Sequence, residues 1–235
     1  MMLLEVNSVE SSYDATQVLF GVSMNVQAGD FVTLLGRNGM GRSTLISTIM
    51  GFVRLRAGTI LFDGKPIHAR PSHEVARAGI GLVPEGRRVF PTLSVYENLV
   101  AFQRNIRGAD NPWTVERVYA LFPRLKERKG QLAATLSGGE QQMLAISRAL
   151  VTNPRLLILD EATEGLAPLV SEEIWNSLRE LRRQGLSIIV TDKNLKPLLD
   201  LASRHYVLSK GRVVWEGTSQ DFNTRQDELK AYLGV

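Results

Sequence analysis

Three stretches of the chain are almost wholly apolar, Phe31–Leu35, Leu156–Leu159 and Ser187–Val190, and each lies between polar segments. Short runs of this kind are what strands show when helices cover both faces of a parallel sheet. The beginning of the chain alternates more loosely, over Leu3–Val9 and Val18–Val26, which predicts antiparallel strands at one edge. Apolar residues at helical spacing mark Ser43–Met50, Val95–Asn105, Thr114–Phe122, Gly139–Val151, Val170–Gln184 and Lys196–Ala202, with a short surface helix over Asp227–Val235. Strand and helix signals alternate, so the expected fold is α/β around a mostly parallel sheet. Between Val95 and Lys129 the strand signal fades and two helical segments follow one another, punctuated by Asn111-Pro112. That stretch reads as a helical subdomain inserted between strand-rich halves.

Composition narrows the class. The 235 residues hold 28 Lys+Arg against 24 Asp+Glu, 28 − 24 = +4, and 44% are hydrophobic. A chain of this length forms one large domain or two small ones and buries roughly 70% of its unfolded surface. It contains no cysteine, which excludes disulfide staples and thiolate metal sites. A surplus of +4 is too small to imply a nucleic-acid partner, and none is expected. The start, MMLLEVNSVE, lacks a basic segment and so does not resemble a signal peptide. No uncharged apolar run approaches the ~18 residues of a membrane span. The expectation is a cytoplasmic chain that meets a membrane only through a partner.

The segment Gly36-Arg37-Asn38-Gly39-Met40-Gly41-Arg42-Ser43 follows one predicted strand and opens a predicted helix. In that context G-x-x-x-x-G-K-[ST] is a phosphate loop: glycines turn backbone N–H groups inward, and the helix N-terminus adds partial positive charge. A glycine-rich turn used only for packing is the plainer alternative. Ser43 supplies a hydroxyl for Mg²⁺. Arg42 stands where the motif carries Lys, and a planar guanidinium is not interchangeable with an ammonium. It can hold phosphate, but it predicts a γ-phosphate poorly placed for in-line attack.

A second candidate lies at the end of Leu156–Leu159, where Asp160 and Glu161 face the crevice in which ligands of parallel sheets bind. Asp160 suits Mg²⁺ as a hard oxygen ligand, and Glu161 suits a general base that orients water. Solvated acids ending a strand are the plain alternative. Ser137, Gly138 and Gly139 precede a packed helix and leave free amides at its start, which makes either an anion site or an ordinary N-cap.

In this order, Gly36–Ser43, Leu136-Ser137-Gly138-Gly139-Glu140-Gln141-Gln142 and Leu157-Ile158-Leu159-Asp160-Glu161 resemble the motifs of an ABC-transporter ATPase subunit. The likeness covers essentially the whole chain. Val83-Pro84-Glu85-Gly86-Arg87-Arg88-Val89-Phe90, Leu121-Phe122-Pro123-Arg124-Leu125, Glu164-Gly165-Leu166-Ala167-Pro168 and Ala231-Tyr232-Leu233-Gly234-Val235 are similar to segments of the branched-chain amino-acid importer ATPases. The urea and short-amide importers are close relatives of that group.

The resemblance implies a P-loop NTPase ABC cassette: a single ATP-binding domain over 1–235, with an antiparallel β edge and a helical insert near 86–150. It implies ATP and Mg²⁺ as cofactors, with nucleotide held by Tyr13 against adenine, by Gly36, Arg37, Asn38, Gly39, Met40, Gly41, Arg42, Ser43 and Thr44, and by Glu85. Ser43, Glu85 and Asp160 would serve the metal. Glu161 and Lys193 would be catalytic, Lys193 standing where the family usually has a switch His. Ser137, Gly138, Gly139 and Glu140 would serve the nucleotide of a second ABC ATPase subunit. The remaining implied partners are two transmembrane permease subunits, docked near Val95–Lys129, and a solute-binding protein acting outside. The chain would thus be peripheral on the inner face of the membrane. Two readings stand beside the importer ATPase. One is a hydrolysis-poor partner in a heteromeric importer, motivated by Arg42 and Lys193. The other is a soluble ABC protein of translation or DNA repair, which usually carries two cassettes or long coiled-coil insertions.

Overall fold

Period-two alternation in the central strands divides their side chains between two hydrophobic cores, and that division organises the molecule. The structure, a computed structural model, describes residues 1–106 and 108–233. The elements run β1 (Met2–Tyr13), β2 (Thr16–Gln27), β3 (Phe31–Leu35), α1 (Arg42–Ile49), β4 (Leu55–Phe62), β5 (Lys65–Pro66), α2 (Ser72–Ala78) and β6 (Ile80–Val83). They continue with α3 (Val95–Val100), α4 (Val115–Leu121), α5 (Pro123–Glu127), α6 (Gly138–Leu150), β7 (Leu156–Leu159), α7 (Pro168–Arg183) and β8 (Ser187–Val190). The last are α8 (Leu195–Leu201), β9 (Arg204–Ser209), β10 (Arg212–Gly217), α9 (Ser219–Thr224) and α10 (Gln226–Leu233).

The main sheet has the order β10-β9-β3-β8-β7-β6. All its pairings are parallel except β9 with β10. A second, antiparallel sheet has the order β2-β1-β4-β5. On β3, Phe31 and Leu35 enter one core while Val32 and Leu34 enter the other. β7 divides likewise, with Leu157 and Leu159 on one side and Leu156 and Ile158 on the other. The first core joins the sheet to α3 through α10, and the second joins it to α1, α2 and the antiparallel sheet. The helices between β6 and β7 therefore share a core with β7 and β8. No described helix is long and apolar enough to cross a membrane.

The three apolar runs form β3, β7 and β8 with the predicted bounds. The two early strands pair with each other and with β4, so they build a sheet of their own. The predicted helix Val95–Asn105 stops at Val100. Beyond it the Arg104 N–H donates to Val151 O at 3.0 Å, and Asn105 Oδ1 accepts from the Ala109 N–H at 2.8 Å, so the chain turns. β4, β6, β9 and β10 have no counterpart in the sequence reading. The end of the predicted terminal helix, Gly234 and Val235, lies outside the described residues.

Candidate active site

The loop from Gly36 to Gly41 joins β3 to α1 at the carboxyl edge of the main sheet. Gly36 has φ +139°, and a Cβ there would lie 2.3 Å from the carbonyl oxygen of Leu208 on β9, so only glycine fits. Gly41, at φ +106°, caps α1 with no side-chain hydrogen bond, which leaves the first amides of the helix free of a side-chain cap. The loop is pinned from two sides: the Arg37 N–H donates to Tyr232 O on α10 at 3.2 Å, and the Gly211 N–H donates to Met40 O at 3.0 Å. Asn38 and Gly39 are exposed, Ser43 is exposed at the helix start, and Thr44 is buried. A glycine-rich loop leading into a helix N-terminus is an arrangement that suits an anion.

Arg42 does not project into solvent. It is 6% exposed, its Nη2 donates to Asn38 Oδ1 at 2.9 Å, and it lies 3.8 Å from Glu161 Oε1. That contact brings the loop after β3 and the acids after β7 into one site.

Asp160 follows β7 and is buried, with Oδ1 accepting from the Thr191 hydroxyl at 2.8 Å. The Glu161 N–H donates to the same hydroxyl at 2.8 Å. Glu161 has φ +57°, a left-handed conformation that costs a non-glycine residue about 1–3 kcal/mol and tends to persist at functional sites. Its carboxyl is pushed up to about 7, first by the hydrogen bond it shares with Glu164, then by burial and by the charges of Glu164 and Glu85, while Arg42 pulls the other way. Glu164 is held low, first by that hydrogen bond and then by Lys193, with which it forms an ion pair. A carboxyl near neutrality in a crevice can take up or release a proton at working pH.

Ser137 caps α6. Its hydroxyl accepts from the Glu140 N–H at 3.3 Å, and the Glu140 carboxylate accepts from the Ser137 N–H at 2.9 Å. Arg128 also reaches Glu140 at 2.6 Å, so the Glu140 carboxylate is engaged within the chain. Burial raises the Glu140 carboxyl, but the Ser137 hydrogen bonds and Arg128 outweigh it and hold the group low. Close packing explains the glycines: a Cβ at Gly139 would lie 2.3 Å from Val170 Cγ1, and one at Gly138 would lie 2.8 Å from the Arg87 guanidinium. Tyr13 is half exposed at the end of β1, and Glu85 is exposed just after β6.

Two residues of the site escaped the sequence reading. The Thr191 hydroxyl bonds the Asp160 carboxylate and the Glu161 backbone, and Asp192 accepts from the Thr163 N–H at 2.7 Å, from its hydroxyl at 2.8 Å and from the Asn194 N–H at 2.9 Å. Both follow β8, and the carboxyl-edge rule that singled out Asp160 applies equally to them. A cavity of about 380 Å³ is walled by Gly36, Arg37 and Asn38 on the loop and by Asp192 and Lys193 after β8.

A hydroxyl and a carboxylate, Ser43 and Asp160, are the hard oxygen donors that suit Mg²⁺ when substrate phosphates complete its shell. The described residues gather no group of three or more His, Cys, Asp or Glu that could hold a metal ion.

The family model for ABC transporters matches residues 19–164, more than half of the chain. The chain belongs to the ABC transporter family. It is 43% identical over 232 residues to BraG of Pseudomonas aeruginosa, a high-affinity branched-chain amino acid transport ATP-binding protein, covering 99% of this chain and 100% of BraG. It is 32% identical to LptB of Haemophilus influenzae, a lipopolysaccharide export system ATP-binding protein, covering 100% and 98% of the two chains. A solved ATP-binding subunit of an ABC transporter superimposes with a TM-score of 0.85 at 28% identity, covering 99% of this chain and 100% of that one. The cassette is thus a nucleotide-binding ATPase coupled to transport.

Proposed function

We propose that this cassette binds ATP with Mg²⁺ across the loop of Gly36–Thr44 and powers import of branched-chain or similar hydrophobic amino acids. The observation that carries the site is the 3.8 Å approach of Arg42 to Glu161, which joins phosphate loop and acids. Whole-length likeness to BraG supports the substrate class, since 43% identity there exceeds the 32% to LptB. Mg²⁺, held by Ser43 and Asp160 with Glu85 nearby, would neutralise charge on the phosphates. Glu161 would orient the attacking water and accept its proton, and Tyr13 would stack on adenine. The single domain spans 1–235, with its helical insert at about 86–150 turned toward the permease. Tyr96 and Val100 on α3, half exposed, support that docking face. Ser137, Gly138 and Gly139 would close on the nucleotide of a second ATPase subunit, with Glu140 shaping the helix start. Two permeases and an external binding protein complete the importer, and the cassette stays peripheral on the inner membrane face.

ATP contacts both subunits only when they close, so binding shifts the population toward the closed pair and hydrolysis releases it. The direct test is calorimetric titration with ATP and Mg²⁺, followed by leucine uptake in vesicles carrying the cassette with its permeases. ATP-dependent uptake supports the reading; a cassette that binds no ATP at millimolar concentration with Mg²⁺ removes it.

A slow cassette is the second reading, favoured by Arg42 itself. Its guanidinium already binds Asn38 and faces Glu161, so a triphosphate must compete with both. Phosphate release by the cassette alone and with a second subunit separates the two readings.

A further inference from the structure

Arg42 and Lys193, the two positions that depart from the phosphate-loop and switch patterns, end one run of charged side chains. Arg42 lies 3.8 Å from Glu161, Glu164 follows Glu161 by three residues in the same loop, and Glu164 Oε1 accepts from Lys193 Nζ. Two cations thus bracket two carboxyls. Glu164 comes from the loop after β7 and Lys193 from the loop after β8, and these strands are parallel neighbours. Lys193 also lines two cavities. One, of about 380 Å³, it shares with Gly36, Arg37 and Asn38; the other, of about 670 Å³, it shares with Glu164.

A lysine side chain is long and freely rotating, so an unanchored ammonium would spread through solvent. We propose that Glu164 is a positioning residue: its carboxylate holds the Lys193 ammonium at the wall of the phosphate-loop cavity, where it meets the terminal phosphate of a bound triphosphate. This inference rests on the ATP reading of the site. An ammonium has three donors, so Lys193 keeps its bond to Glu164 while it donates to phosphate. Toward the triphosphate Glu164 acts through Lys193, while its carboxyl also interacts with Glu161. Both side chains are partly exposed, 55% for Lys193 and 38% for Glu164, so solvent screens the pair and its effect is modest.

Equilibrium binding of ATP and of ADP, each with Mg²⁺, is measured for the parent, Glu164→Gln, Lys193→Met, Glu164→Asp and the Glu164→Gln/Lys193→Met double variant. Each of the first two weakens ATP by about two- to fivefold and leaves ADP unchanged, because ADP lacks the terminal phosphate. The double variant binds ATP no more weakly than Lys193→Met, as coupled residues require. Glu164→Asp recovers part of the loss. The proposal is overturned if ATP and ADP affinities fall together, if either single variant binds ATP like the parent, or if the losses add. A parent that binds neither nucleotide instead overturns the ATP reading on which the proposal stands.

Discussion

Arg42 concentrates the chemistry that this chain does not share with the usual phosphate loop. Its guanidinium is buried and divided between Asn38 and Glu161, whereas a lysine would offer a compact charge without that fork. Arg42→Lys is expected to raise steady-state ATP turnover by roughly tenfold, since small errors in γ-phosphate placement cost up to ~100-fold. Phosphate release under saturating ATP measures it, and unchanged turnover would clear Arg42 of limiting the rate. The loop itself was legible because its chemistry is local: glycines at fixed spacing, then a hydroxyl, between strand and helix. Thr191 was not legible. A buried threonine ending an apolar strand looks like any other until its hydroxyl is seen to serve Asp160 and Glu161 together.

The decisive joint among the elements is the start of α6. The reciprocal hydrogen bonds of Ser137 and Glu140 satisfy two otherwise orphaned donors, and Arg128 ties the helix to the segment just after α5. Ser137→Ala removes one cap and is expected to cost about 1 kcal/mol, lowering the melting temperature by roughly 2–4 °C. A thermal melt of the nucleotide-free chain reads this out without any contribution from nucleotide. Helix bounds were legible to within two residues wherever the apolar face was continuous, as in α6 and α7. α3 was overestimated because the chain beyond it turns to meet Val151, just after α6, a contact that no local spacing announces. β4 and β10 hid for a different reason. Each carries exposed polar positions among its apolar ones, so its signal is weak until a neighbouring strand pairs with it.

Across the whole molecule, His205 ties three elements together. It accepts or donates at 2.7 Å to Thr33 on β3 and at 2.8 Å to Ser219 on α9, and it is fully buried on β9. Burial lowers its pKa from the usual 6.5 to about 4. The unfolded chain therefore binds this proton more readily than the folded one, and stability rises with pH between those values. The contribution is full above pH 6.5 and is lost as pH falls toward 4, for a total of about 3 kcal/mol. Urea unfolding at a series of pH values should show that slope, and His205→Gln should flatten it. A slope that survives the substitution would assign the effect to other groups.

The glycine-rich turn between β3 and α1, the three buried strands and the capped start of α6 were determined by the sequence itself, because each depends on residues close together along the chain. The tertiary structure alone decided that Arg42 meets Glu161, that Glu164 holds Lys193, and that the Thr191 hydroxyl joins the Asp160 carboxylate to the Glu161 backbone. Those contacts arise where parallel strands β3, β8 and β7 lie side by side, and strand order is set by the burial of all of them at once rather than by any local spacing.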